Sequence, residues 1–143
     1  MNLEKVIFGF FIIFACTLNF GFFIGELDLP VHHHPFELFA TVVVNMVALV
    51  LKFGDRTQVG ATHLATSLVA TFQLLAGALV WMWQIYILDQ PMNGEIMSVV
   101  VSLSGGALVA NFVSLILLIG ETLRGTRGQL RALLTACHGR RTF

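Results

Sequence analysis

The sequence predicts an all-α polytopic membrane protein with four transmembrane helices and both termini in the cytoplasm. Three observations carry that prediction. Of 143 residues, 57% are hydrophobic and only 11% charged, whereas a soluble domain carries about 25% charged residues. The apolar residues gather into four runs that approach the ~20 residues needed to cross ~30 Å of hydrocarbon. The basic residues all fall on one side of those runs, which fixes a cytoplasmic face by the positive-inside rule. A chain this short buries only about two-thirds of its surface, so the composition argues against a soluble domain. Eight basic and eight acidic residues cancel, but the zero net charge hides their sorting.

The first span runs from about Val6 to Gly25, after the opening MNLEK. No A-x-A site follows, so the segment reads as an uncleaved anchor. It holds Cys16, a small buried residue by this reading, and Asn19 toward the outer end. Gly21 and Gly25 form a GxxxG pair suited to close helix packing.

The outer connection, GELDLPVHHHP at 25–35, is the densest chemical feature. It brings His32, His33 and His34 near Glu26, Asp28 and Glu37. Imidazole and carboxylate suit zinc and related ions, so a divalent metal held by His32, His33 and His34 is one expectation. Proton sensing, attraction of cations to an outer mouth and a simple polar turn are the others.

The second span, about Phe36 to Phe53, is the shortest. At 100° per residue Glu37, Thr41, Asn45, Ala48 and Lys52 fall within about 80° of one another. The third span, about His63 to Leu88, carries a comparable stripe: His63, Thr66, Ala70, Gln73, Gly77 and Gln84. Trp81, Trp83 and Tyr86 near its outer end fit an interfacial aromatic belt. Such stripes either join helices by hydrogen bonds or line a hydrated route.

The fourth span, about Ile96 to Gly120, has Ser98, Ser102, Gly106, Ala110 and Ser114 four residues apart. This small-residue track permits close backbone approach within or between chains, and Gly105 beside Gly106 is a place where the helix could loosen. Ser104 and Asn111 add polar groups at mid-depth. Residues 1–120 thus make the membrane domain. Residues 121–143 form a basic cytoplasmic or interfacial tail, whose Arg side chains suit anionic lipid or a cytoplasmic protein partner.

Lys5, Lys52, Arg56 and the Arg residues after Gly120 lie on the inner side, while Glu26, Asp28, Asp89 and Glu95 lie on the outer. No nucleic-acid module, phosphate loop or catalytic spacing is present, so the expectation is a protein that is not an enzyme.

The stretch LKFGD at 51–55 loosely resembles the end of a potassium-channel filter, GYGD. The first Gly and the Tyr are absent, Lys52 would repel the ion, and the loop is on the inner side, which excludes a standard carbonyl filter. MNLEK (1–5), LNFGFFIGE (18–26), KFGDRTQ (52–58) and SLSGGA (102–107) together resemble a family of small, uncharacterised bacterial four-span proteins, sometimes loosely labelled potassium channels. The resemblance implies a bacterial inner-membrane location and no particular activity.

The functional expectation is an oligomeric channel or transporter for a small ion, a cation by preference. Glu37, Thr41, Asn45, Lys52, Gln73 and Asn111 would line its route. Its helices would pack through Gly21, Gly25, Ser102, Gly106, Ala110 and Ser114. The alternative is a non-transporting accessory or scaffold subunit docked through its tail.

Overall fold

The computed structural model describes residues 3–26, 29–54 and 57–139, which form four long helices and no strand. They are α1 (Leu3–Phe23), α2 (Pro35–Lys52), α3 (Gln58–Met82) and α4 (Gly94–Gly139). Each is long and apolar enough to cross a membrane.

Local chemistry sets where the helices begin. His34 precedes α2, its Nδ1 accepting the Phe36 N–H at 3.1 Å, and Pro35 occupies the first helical position, where its missing N–H costs nothing. Thr57 caps α3 by accepting the Gly60 N–H at 2.9 Å. That cap starts the helix at Gln58, more than a turn before the first apolar-run residue expected from the sequence. Asn93 caps α4 by accepting the Ile96 N–H at 2.9 Å. Such caps satisfy N–H groups that the first helical turn leaves without partners.

The connections are short. One 3-10 turn, Pro30–His32, leads into α2. α3 continues into a π-helical turn, Trp83–Ile87, and Asp89 then reverses the chain with φ of 49°. Buried Gln84 ties this corner together, its Nε2 donating to the Pro91 carbonyl at 3.3 Å.

The helices pack as a ring. α1 lies against α2 and α4, and α3 lies against α2 and α4. Contacts at both ends make the order up-down-up-down. At one end Lys5 meets Glu121 at 2.9 Å, and Phe8 meets Lys52 and His63. At the other, Phe22 meets His33 and Trp81. The first is called the basic end and the second the histidine end.

Two apolar clusters fill the ring. Near the histidine end Phe22, Leu38, Leu74, Trp81, Met97 and Val100 form the larger one. Phe8, Ile12 and Ala48, with Leu115 and Leu118, form the smaller near the basic end. Large apolar side chains also cover the outside, among them Phe10, Phe39, Val50, Phe72, Leu79 and Ile116. An outer surface of this kind suits lipid.

Two expectations need correction. Trp81 belongs to the core, where it packs beside Phe22, while Trp83 and Tyr86 are exposed. The fourth helix also does not stop or loosen at its glycines. It continues through Gly105, Gly106 and Gly120 to Gly139 as one element of 46 residues.

Candidate functional site

The most unusual feature of the bundle is the number of polar side chains turned into it. Asn19 comes from α1, Thr41 and Asn45 from α2, Ser67 and Thr71 from α3, and Ser104, Asn111 and Ser114 from α4, all buried. Spacings of three, four and seven residues keep each set on one helix face. Apolar side chains interleave with these sets, among them Val42, Ala70, Ala107 and Ala110 of the larger cluster, so this polar layer is set within an apolar interior.

Some of these groups are satisfied. Ser104 Oγ donates to Asn19 Oδ1 at 2.5 Å, joining α1 to α4. Thr66 and Ser114 share a hydrogen bond between hydroxyls, also at 2.5 Å, joining α3 to α4. Thr41 Oγ1 donates to the Glu37 carbonyl, and Asn45 Nδ2 to the Thr41 carbonyl, at 2.7 and 2.8 Å. Others are not. Asn19 Nδ2, Ser67 Oγ, Thr71 Oγ1, Gln73 Oε1 and Asn111 Nδ2 are buried without a hydrogen-bond partner among the described residues. A buried polar atom left unmet costs about 1–3 kcal/mol, and native interiors usually meet such atoms with ordered water or a guest.

At the basic end a cavity of about 510 Å³ is lined by residues that include Glu4, Lys5, Phe8, Lys52, Leu118 and Glu121. Lys52 is only 8% exposed, and its Nζ lies 3.9 Å from the Phe8 ring centroid. His63 meets the same ring edge to face at 5.3 Å. The ammonium charge lies on the negative face of the aromatic ring, a favourable placement.

The expected site residues are thus divided. Thr41, Asn45, Lys52 and Asn111 are buried in the bundle. Gln73 is half-buried with its amide against Gly106, where an added Cβ would sit 2.6 Å from Nε2. Glu37 is exposed at the start of α2 and contributes only its carbonyl to Thr41. Ser67 and Thr71 were not among the expected residues. They follow His63 at intervals of four, but the neighbouring Thr66 and Gln73 draw the sequence stripe to one flank.

The packing track is also divided. Ala110 and Ser114 are buried, and Gly106 admits the Gln73 side chain, but Ser102 is exposed. Gly21 faces outward with nothing within 4 Å of an added Cβ. Gly25 turns the chain, with φ of +146° and His33 immediately over it.

The three histidines have three different surroundings. His33 is 2% exposed, with Nδ1 2.8 Å from the Phe22 carbonyl and Nε2 3.2 Å from the Glu26 carbonyl. It meets the Phe22 carbonyl at the C-terminal end of α1 and joins the Leu29 N–H on the Glu26 carbonyl of the following turn. Carbonyls only accept, so in each of these contacts the ring nitrogen must be the donor. His34 caps α2, and His32 is exposed. No group of three His, Cys, Asp or Glu converges on a metal position among the described residues. Glu26 is exposed, and Asp28 lies outside the described residues.

No curated protein and no solved structure matches the chain. One family model does, over residues 32–122, which take in α2, α3 and the bundle portion of α4. The match covers more than half of the sequence, and the chain accordingly belongs to the family described as a family of unknown function, DUF6394.

Proposed function

We propose that this protein is a multi-pass channel or transporter of the bacterial inner membrane. It passes a small ion, a cation by preference, with both termini in the cytoplasm. The observation that carries this reading is the buried polar layer with its unmet atoms Asn19 Nδ2, Ser67 Oγ, Thr71 Oγ1 and Asn111 Nδ2. In hydrocarbon, intramembrane polar groups turned toward a bundle interior commonly mark a pathway.

The route would start in the cavity at the basic end, whose lining includes two Lys and two Glu side chains. It would pass Lys52, Phe8 and His63 and enter the polar layer. Beyond it, the cluster of Phe22, Leu38, Leu74, Trp81 and Met97 blocks passage toward the histidine end. Hydrophobic constrictions of this kind gate by excluding water. The reading therefore describes a closed state, in which the smaller cluster of Phe8, Ile12 and Ala48 also lies across the inner half of the route. Glu26, Asp28, His32 and the other outer polar residues would draw cations to the far mouth when it opens. Assembly as a homo-oligomer belongs to the same proposal, and the bare outward spot at Gly21 offers a place for subunit contact.

Flux from proteoliposomes tests the proposal. Wild type should carry one small ion selectively, and Asn111→Leu and Asn45→Leu should reduce that flux at unchanged helicity and dispersity. Absence of selective flux for potassium, sodium, protons and chloride over several pH values would remove the transport reading. The accessory-subunit reading draws its support from the exposed stretch of α4 beyond Glu121. A stoichiometric protein that co-purifies with wild type and is lost on removal of residues 122–143 would favour it.

A further inference from the structure

The part of α4 beyond the bundle is an exposed helix that the transport route leaves unused. Arg124, Arg127 and Arg131 are all exposed there, and no Asp or Glu follows Glu121 in the sequence. Leu123, Leu130 and Leu134 are 58%, 59% and 63% exposed. Three large apolar side chains in water beside three unopposed charges form a surface without its counterpart.

The direction of that surface follows from the bundle. Leu118 points inward, where it packs on the smaller apolar cluster and lies 3.5 Å from where a Cβ on Gly9 would be. Counting about 100° per residue from Leu118, all three Arg and all three Leu lie about 120° or more away. Both sets therefore face outward, over the lipid that would surround α4. Leu123, Leu130 and Leu134 occupy one side of this face and Arg124, Arg127 and Arg131 the other.

The depth is also suitable. At ~1.5 Å per residue, Arg124 and Arg127 lie about 4 and 9 Å beyond Glu121, and the headgroup layer is roughly 5–7 Å thick. Arg131 is about one further turn away, within reach if the helix leans. The glycines allow such a lean. An added Cβ on Gly120, Gly125 or Gly128 would meet nothing within 4 Å, so packing does not require them, and they weaken helix rigidity by their low propensity. A lean away from the bundle turns the outward face toward the bilayer.

We propose that residues 122–139 form an arm that binds the anionic phospholipid surface at the basic end. Arg124, Arg127 and Arg131 pair with lipid phosphates, and Leu123, Leu130 and Leu134 enter the interface. Charge selects this occupant, because the arm presents only positive charge beside its apolar strip, as interfacial helices on anionic membranes do. The inference depends on the membrane reading of the four helices and is independent of whether any ion is carried.

The full chain in lipid nanodiscs tests it, with Cys16→Ala and Cys137→Ser as background and a spin label attached through Leu130→Cys. Discs of phosphatidylcholine alone are compared with discs of seven parts phosphatidylcholine to three of phosphatidylglycerol. In the anionic discs the label should become more accessible to oxygen and less to a water-soluble nickel chelate. The triple substitution Arg124→Gln, Arg127→Gln, Arg131→Gln should reverse this, as should high salt on the unsubstituted arm. At the usual worth of a surface arginine, three together change the bound-to-free ratio by on the order of a hundredfold. Equal chelate access in both disc types overturns the proposal. So does equal burial in both, which removes the role of charge. Spin–spin broadening that is the same in both compositions also overturns it, in favour of pairing with a second copy of the arm. The salt response needs no Arg substitution, so the test stands even if the triple variant is unstable.

Discussion

Replacing Asn19 by Leu separates two roles for the polar layer, adhesive and pathway. Leu has the same γ-branched shape as Asn, so the change mainly removes polarity. The Asn19 amide makes one interhelical hydrogen bond, from Ser104, and leaves Nδ2 unmet. Interhelical bonds in membranes contribute ~0.6 kcal/mol on average and up to ~1.7. An unmet buried donor costs about 1–3 kcal/mol. The two nearly cancel, so Asn19→Leu combined with Ser104→Ala should alter stability by less than about 1 kcal/mol. Ser104→Ala alone should be worse than the pair, since it strands Oδ1 as well as Nδ2. Unfolding in mixed micelles, read as a double-mutant cycle, gives these differences directly, with a coupling expected near 0.6–1.7 kcal/mol. If the layer serves passage, the double variant retains its fold and loses flux. A loss above about 3 kcal/mol in the double variant would refute the reasoning, since the amide would then be integral to stability.

Other substitutions probe the remaining contacts. Gly105→Ala places a Cβ 2.7 Å from a ring carbon of Phe23, and should cost about 1–3 kcal/mol in the same unfolding assay. For Gly106→Ala the nearest atoms belong to the end of the flexible Gln73 side chain, so it should cost less. Among the histidines, His32→Ala should be nearly silent and His34→Ala should cost about 0.5–2 kcal/mol through its cap. His33→Ala should speed amide exchange at the C-terminal end of α1 by stranding the Phe22 carbonyl, while the Glu26 carbonyl keeps the Leu29 N–H. Metal content should be the same in wild type and in the triple His→Ala variant; a difference would point to binding by residues that do not converge in this state. Lys52→Met keeps the packing over Phe8 but removes the cation–π contact, and should lower stability by about 0.5–2 kcal/mol.

The helices and their order were readable because length and apolar content alone decide what can cross a bilayer. The face that α3 turns inward was less readable. Thr66 and Ser67 are neighbours, only 100° apart, and either could head a polar stripe. Packing decided it, because His63, Ala70, Leu74 and Trp81 all enter the core and carry Ser67 and Thr71 with them. Trp81 could not be separated from Trp83 and Tyr86 by composition, since all three sit near one helix end. The histidine triplet reads as one chemical unit, yet successive residues in an extended stretch point different ways. His33 and His34 accordingly serve different helix ends, and that division depends on the Gly25 turn bringing the end of α1 under His33.

The ring arrangement has a consequence for how the chain assembles. Three of its four principal contacts join helices adjacent in sequence, and α1 with α4 is the exception. The first two helices can insert and pair as a hairpin, and so can the last two. The Asn19–Ser104 bond spans 85 positions, so it forms only when the second hairpin closes on the first. Until that moment the polar groups of the early helices remain open on one side, within reach of water, insertion machinery or another chain. Ring closure is therefore the step at which this protein commits its polar residues to its own interior, and a slow closure would leave them available for mistaken pairing.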